Sequence, residues 1–118
     1  MKLFTILEAR KTIETVTQNT EMHAHLAYWF SKFMIKTQGE ADFYVAELKK
    51  ILEKYNAKVD ETEIIIAAES KDDFNREVSE LQNTDVEAPD VRFSLDELSS
   101  EIKLSMTQIM PLMDFIDE

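Results

Sequence analysis

The chain has 118 residues, 24 of them acidic and 13 basic, with a formal net charge of −11 at pH 7 and no cysteine. That length suits one domain with its own core, and the missing thiols exclude a disulfide framework and thiolate metal sites. One glycine and two prolines are too few for the turns of a many-stranded sandwich or barrel, so the composition favours long helices.

Residues 3–18 read as an amphipathic helix, with Leu3, Ile6, Leu7, Ile13 and Val16 near one face and Glu8, Arg10, Lys11 and Glu14 outside it. The Thr-rich end is poor helix material, and Asn19 or Thr20 is expected to turn the chain and cap the next helix. Over 21–56, Met22, Leu26, Trp29, Phe30 and Phe33, then Phe43, Tyr44, Leu48, Ile51, Leu52 and Tyr55, recur at three- and four-residue steps. Gly39 costs about 1 kcal/mol relative to Ala inside a helix. Its neighbours are good helix formers, so one continuous helix is expected, about 50 Å long. Asn56 is its expected stop.

Ile64-Ile65-Ile66 after the charged turn Asp60-Glu61-Thr62-Glu63 predicts a short strand. Ser70 then caps a helix with Asp72 and Asp73 in its first turn and Phe74, Val78 and Leu81 on one face, ending near Asn83. Val86, Ala88, Val91 and Phe93 flank Pro89-Asp90 in an extended stretch. Ser94-Leu95-Asp96-Glu97 fits a capping box opening one helical turn. Ile102 and Leu104 alternate with Glu101 and Lys103 as a short strand would. Ser105 caps a last helix whose apolar face is Ile109, Leu112, Met113 and Ile116, kinked or shortened by Pro111.

The charge is divided. Residues 1–59 hold nine Lys/Arg and seven Asp/Glu (net +2), whereas residues 60–118 hold four and seventeen (net −13). Such a surface repels nucleic-acid backbones and acidic membranes and suits a basic protein; solubility is its plainer use. Residues 1–10 lack the apolar run of a signal peptide. No stretch approaches the roughly 20 apolar residues that span a bilayer.

Motifs for chemistry are sparse. His23 and His25 lie two apart and point to different helix faces, and Glu21 with His25 is a single i, i+4 pair, short of a metal site. No nucleophile elbow or glycine-rich phosphate cradle is present. The acidic pairs Asp72-Asp73 and Asp96-Glu97 sit where helix N-termini favour negative charge. Lys49, Lys50, Lys54 and Lys58, with Lys32 and Lys36, form a basic stripe that reads best as a solvated helix face. The helix is apolar almost all round over 26–35, with Tyr28, Trp29, Phe30, Phe33, Met34 and Ile35, and the tail is similar through Met106, Ile109, Met110, Met113 and Phe115. Core packing is the ordinary use; a homodimer or a partner's groove is the other.

The order of segments resembles a group of short phage and prophage proteins of Gram-positive bacteria without a settled activity. Its segments correspond to Leu7 through Ile13, Leu26-Ala27-Tyr28, Phe43-Tyr44 through Leu52, Phe74 through Glu77, Val86 through Asp90, Ser94 through Leu98 and Leu104 through Ile116. The turn at 59–63 departs from the group in having no glycine. The resemblance implies a viral origin and supplies no catalytic residues.

We therefore expect one α+β domain over 1–118, predominantly helical. A long antiparallel helical pair over 3–56 would carry an acidic α+β part over 57–118, with a two- or three-stranded sheet and short C-terminal helices. The expected function is that of a non-enzymatic phage accessory protein, without metal or cofactor, in the cytoplasm of an infected bacterium. It would bind, and be able to inhibit, a basic or nucleic-acid-binding enzyme, touching neither nucleic acid nor membrane. Trp29, Phe33, Asp72, Asp73, Asp85, Glu87, Asp90, Asp96 and Glu97 are the candidate contacts. The alternative is a small tail- or head-associated component of the virion.

Overall fold

The computed structural model describes residues 1–19, 21–61 and 63–117. Helix α1 spans Leu3–Asn19. Leu3, Ile6, Ala9, Ile13 and Val16 recur at steps of three and four and are all buried, forming the stripe that periodicity predicts. Its start is tied to a distant segment: the Leu3 N–H donates to the Thr84 carbonyl (2.8 Å), and the Val86 N–H to that of Met1 (2.8 Å). Thr20 lies outside the described residues, and Asn19 ends α1 rather than capping the next helix. That role falls to His23, whose Nδ1 accepts from the His25 N–H at 3.4 Å.

The continuous helix expected over 21–56 is two helices, α2 (Ala24–Lys36) and α3 (Gln38–Lys54), parted at Thr37 and not at Gly39. The cause is a side chain from α1. The Arg10 guanidinium, 8% exposed, donates to the Met34 carbonyl (2.7 Å), the Thr37 hydroxyl (2.7 Å) and Gln38 Oε1 (3.1 Å). Thr37 in turn donates to the Phe33 carbonyl at 2.7 Å, a back-bond that bends helices. Gly39 sits within α3, where an added Cβ would meet nothing within 4 Å. Arg10 facing residues 34–38, with Ile13 beside Phe30 and Met34, makes α1 and α2 antiparallel.

Helix α3 contributes no buried residue, in a molecule 49 × 29 × 22 Å across. Asn56 stops it as expected. In left-handed conformation (φ 51°), it lets its own N–H reach the Glu53 carbonyl (3.2 Å) and the Ala57 N–H reach that of Leu52 (2.9 Å), a Schellman end. Strands β1 (Lys58–Asp60) and β2 (Glu63–Ile65) then form an antiparallel hairpin. Ile66, expected within the strand, falls after it. Without glycine, the turn is made by Glu61 at φ 51°.

A 3-10 turn, Ala68–Ser70, leads directly into α4 (Lys71–Gln82). Ser70 therefore keeps helical dihedrals, and its hydroxyl does not cap. Phe74 and Leu81 are the buried positions of α4. Strand β3 (Phe93–Ser94) pairs in parallel with β4 (Ile116–Asp117), and Ser94 opens α5 (Leu95–Glu101), two turns rather than one. The strand expected at 102–104 does not form: Ile102 is extended (φ −141°, ψ 148°) but ends α5 and inserts into the core without a strand neighbour. Ser105 and Gln108 make a capping box on α6 (Met106–Ile109). Pro111, near the start of the following 3-10 helix Met110–Phe115, tightens that turn. In consequence Leu112 and Phe115 are buried and Met113, expected on the apolar face, is 61% exposed.

The result is an α+β fold, predominantly helical. Its core joins both ends of the chain. Phe30 and Phe33 of α2 meet Phe93 and Phe115, with ring centroids 5.1 Å apart for Phe30–Phe93 and 4.9 Å for Phe33–Phe115, both edge-to-face.

Candidate functional site

The packing of α2 on α5 opens a cleft of about 290 Å3 beside this aromatic cluster. His25, Leu26 and Trp29 form one wall; Arg92, Phe93, Ser94 and Glu97 form the other, with Asp117 at the edge. The Trp29 indole, half-buried, donates from Nε1 to Nε2 of His25 at 3.3 Å. An indole N–H can only donate, so Nε2 is an acceptor and the imidazole proton sits on Nδ1. Nδ1 in turn donates to the Glu97 carboxylate. Glu97 is itself held by its N–H, which donates to the Ser94 hydroxyl at 3.4 Å.

Tyr28 packs edge-on against the Trp29 ring at 5.5 Å, and Lys32 Nζ lies 5.0 Å from its centroid, a cation–π distance. Arg92 donates to the carbonyls of Val91 (2.9 Å) and Pro89 (3.3 Å). Both His25 nitrogens are thus engaged in orienting Trp29 and Glu97. The arrangement presents a fixed aromatic edge beside carboxylates and one guanidinium.

Of the sequence-predicted contacts, Trp29 and Glu97 are brought together here. Phe33 is a correction: it is fully buried in the aromatic core, unable to touch a partner. Asp72 and Asp73 lie in the first turn of α4, with Asp73 bridged to Arg76 at 3.2 Å. Asp85 pairs by backbone with Lys2, while Glu87, Asp90 and Asp96 are exposed along the segment that builds the cleft's second wall. His25, Arg92 and Asp117 were not anticipated. In the sequence His25 has Glu21 at i, i+4 spacing, whereas its carboxylate partner in the fold lies 72 residues away.

A second polar cluster joins α3 to α4. Tyr55 Oη donates to Glu77, and Lys54 Nζ donates to its other oxygen at 2.9 Å. These bonds hold the Glu77 carboxyl below its ordinary range, first through Tyr55 and then Lys54. The same carboxylate pushes both Tyr55 and Lys54 up. Lys54 and Lys50, the latter paired with Glu47 at 3.0 Å, are thereby partly neutralised within the basic stripe.

Among the described residues, no three His, Cys, Asp or Glu side chains are placed to hold a metal ion, and no helix is long and apolar enough to cross a membrane. Compared with protein-family models, with curated proteins and with solved structures, the chain matches none.

Proposed function

We propose that this chain is a protein-binding accessory factor, of the phage type its segment order suggests, that acts by docking a basic protein rather than by catalysis. The observation that carries the reading is an exposed acidic segment that runs on, in sequence, into the Arg92–Glu97 wall of the Trp29 cleft. Asp85, Glu87, Asp90 and Asp96 are exposed, and none is in an ion pair among the described residues. Closely spaced unpaired carboxylates repel one another, and a cationic partner relieves that repulsion on binding. Trp29, held at a fixed angle by His25, supplies the aromatic anchor that such an interface needs at its centre. A nucleic-acid-binding enzyme is the favoured partner class, because carboxylates can occupy the positions of phosphates.

The test is capture of partners from infected and uninfected cells at low and high salt, run in parallel with Asp85→Lys/Glu87→Lys/Asp90→Lys and with Trp29→Ala. The expected result is one basic protein, released at high salt and lost with either variant. Capsid or tail proteins retained at all salt concentrations and by both variants would instead identify a virion component.

A further inference from the structure

The β1–β2 hairpin stands clear of the core. All six strand residues are exposed, including Val59 (63%), Ile64 (46%) and Ile65 (53%). Among the described residues the two strands form a sheet with no third member. Such a hairpin is marginal alone in water, and its outer edges offer unpaired N–H and C=O groups. The register sets Val59 opposite Ile64 on one face, and Lys58–Ile65 with Asp60–Glu63 on the other. The last pair sets two acids across from each other, which destabilises the isolated hairpin further.

The two edges differ in what they would accept. β1 reads Lys58-Val59-Asp60. An antiparallel copy centred on Val59 sets valine against valine, and each Lys58 against Asp60 of the second copy. β2 reads Glu63-Ile64-Ile65; a copy centred on Ile64 sets each Glu63 against an isoleucine and matches no charge. We infer that the β1 edge is a self-association surface on which a second copy of this chain adds antiparallel about a two-fold axis at Val59.

The product is a four-stranded sheet. One face carries the stripe Ile64–Val59–Val59–Ile64, and the other carries two Lys58–Asp60 pairs. The contact is isologous, so it closes at the dimer. The sheet then ends at the two β2 edges, where an exposed Glu63 discourages further strand addition. None of this depends on the acidic segment or on an outside partner.

Sedimentation velocity over a dilution series reaching about 1 mM tests the surface at the weak end of protein association. The wild-type chain is expected to dimerise reversibly. Lys58→Asp alone or Asp60→Lys alone sets like charges opposite at both pairs and should weaken the dimer about tenfold or more. An equimolar mixture of the two variants restores both pairs, and so does the double variant; each should dimerise again. Recovery in the mixture also shows that each variant is folded. A wild-type chain that stays monomeric throughout overturns the inference, as does a dimer that the single variants leave intact. So does a mixture no tighter than its components, or a monomer whose hairpin captures a strand of another protein.

Discussion

Arg10 places a cation at 8% exposure with three hydrogen-bond acceptors, none of them a carboxylate. Burying a charge without a counter-ion is costly, and only a full set of acceptors offsets it. Arg10→Met removes bonds from a charged donor and leaves the Met34 carbonyl and Thr37 hydroxyl short of a partner. It is expected to cost about 2 kcal/mol or more in urea denaturation. Arg10→Lys should recover little, because a single ammonium cannot span the three acceptors. Gly39→Ala should act in the opposite sense: its site is helical and open, so stability should rise by about 1 kcal/mol. The sequence contained a clue to Arg10 that charge alone concealed. It stands four residues after Ile6 and three before Ile13, on the buried stripe. The same side chain explains why the helix breaks at Thr37, which propensity could not indicate.

At the scale of elements, the α3–α4 junction depends on Glu77 being ionised and on Tyr55 and Lys54 being protonated. The Glu77 carboxyl is lowered from its ordinary 4.5. Its contribution is therefore complete above that value and is lost as pH falls through the lower folded value. Lys54 is raised from 10.5 and Tyr55 from 10.0, so their contributions are complete below those values and are lost as pH rises through the higher folded ones. The junction should be tightest between these limits and loosen at both. The resonances of Tyr55 and Phe74, whose rings meet edge-on at 6.1 Å, would follow it. In Glu77→Gln the acid transition should vanish from these signals, and the alkaline one should move down towards the ordinary 10.0 of a tyrosine; unchanged titrations would sink the assignment. Elements closed by local geometry were legible in the sequence, such as the stop at Asn56 and the cap at Ser94. The strand expected at Ile102 was not, because alternation marks an extended backbone but not whether a neighbour exists to pair with it. The two-residue pairing of β3 with β4 leaves no periodic trace at all.

Across the whole molecule, helical content and the α+β class followed from composition and periodicity, but the division into a helical hairpin and an acidic remainder does not describe the core. That core unites residues 6–33 with 91–115. Phe30 and Phe33 pack against Phe93 and Phe115, and the start of α1 is bonded to residues 84–86. A fragment of residues 1–56 keeps the long helices yet forfeits Phe93, Leu98, Leu112 and Phe115, each fully or almost fully buried. Burial of one such side chain is worth about 1.5–3 kcal/mol, so four together match the whole stability of about 5–15 kcal/mol typical of a domain. The fragment should therefore show weak helicity and no cooperative thermal transition, whereas the full chain should melt in one step. Adding residues 57–118 in trans should restore the transition, because the missing contacts come from the chain's far end. A cooperative melt of the fragment alone would mean that α1, α2 and the Arg10 bonds suffice as a core, and that the C-terminal aromatics only cover it.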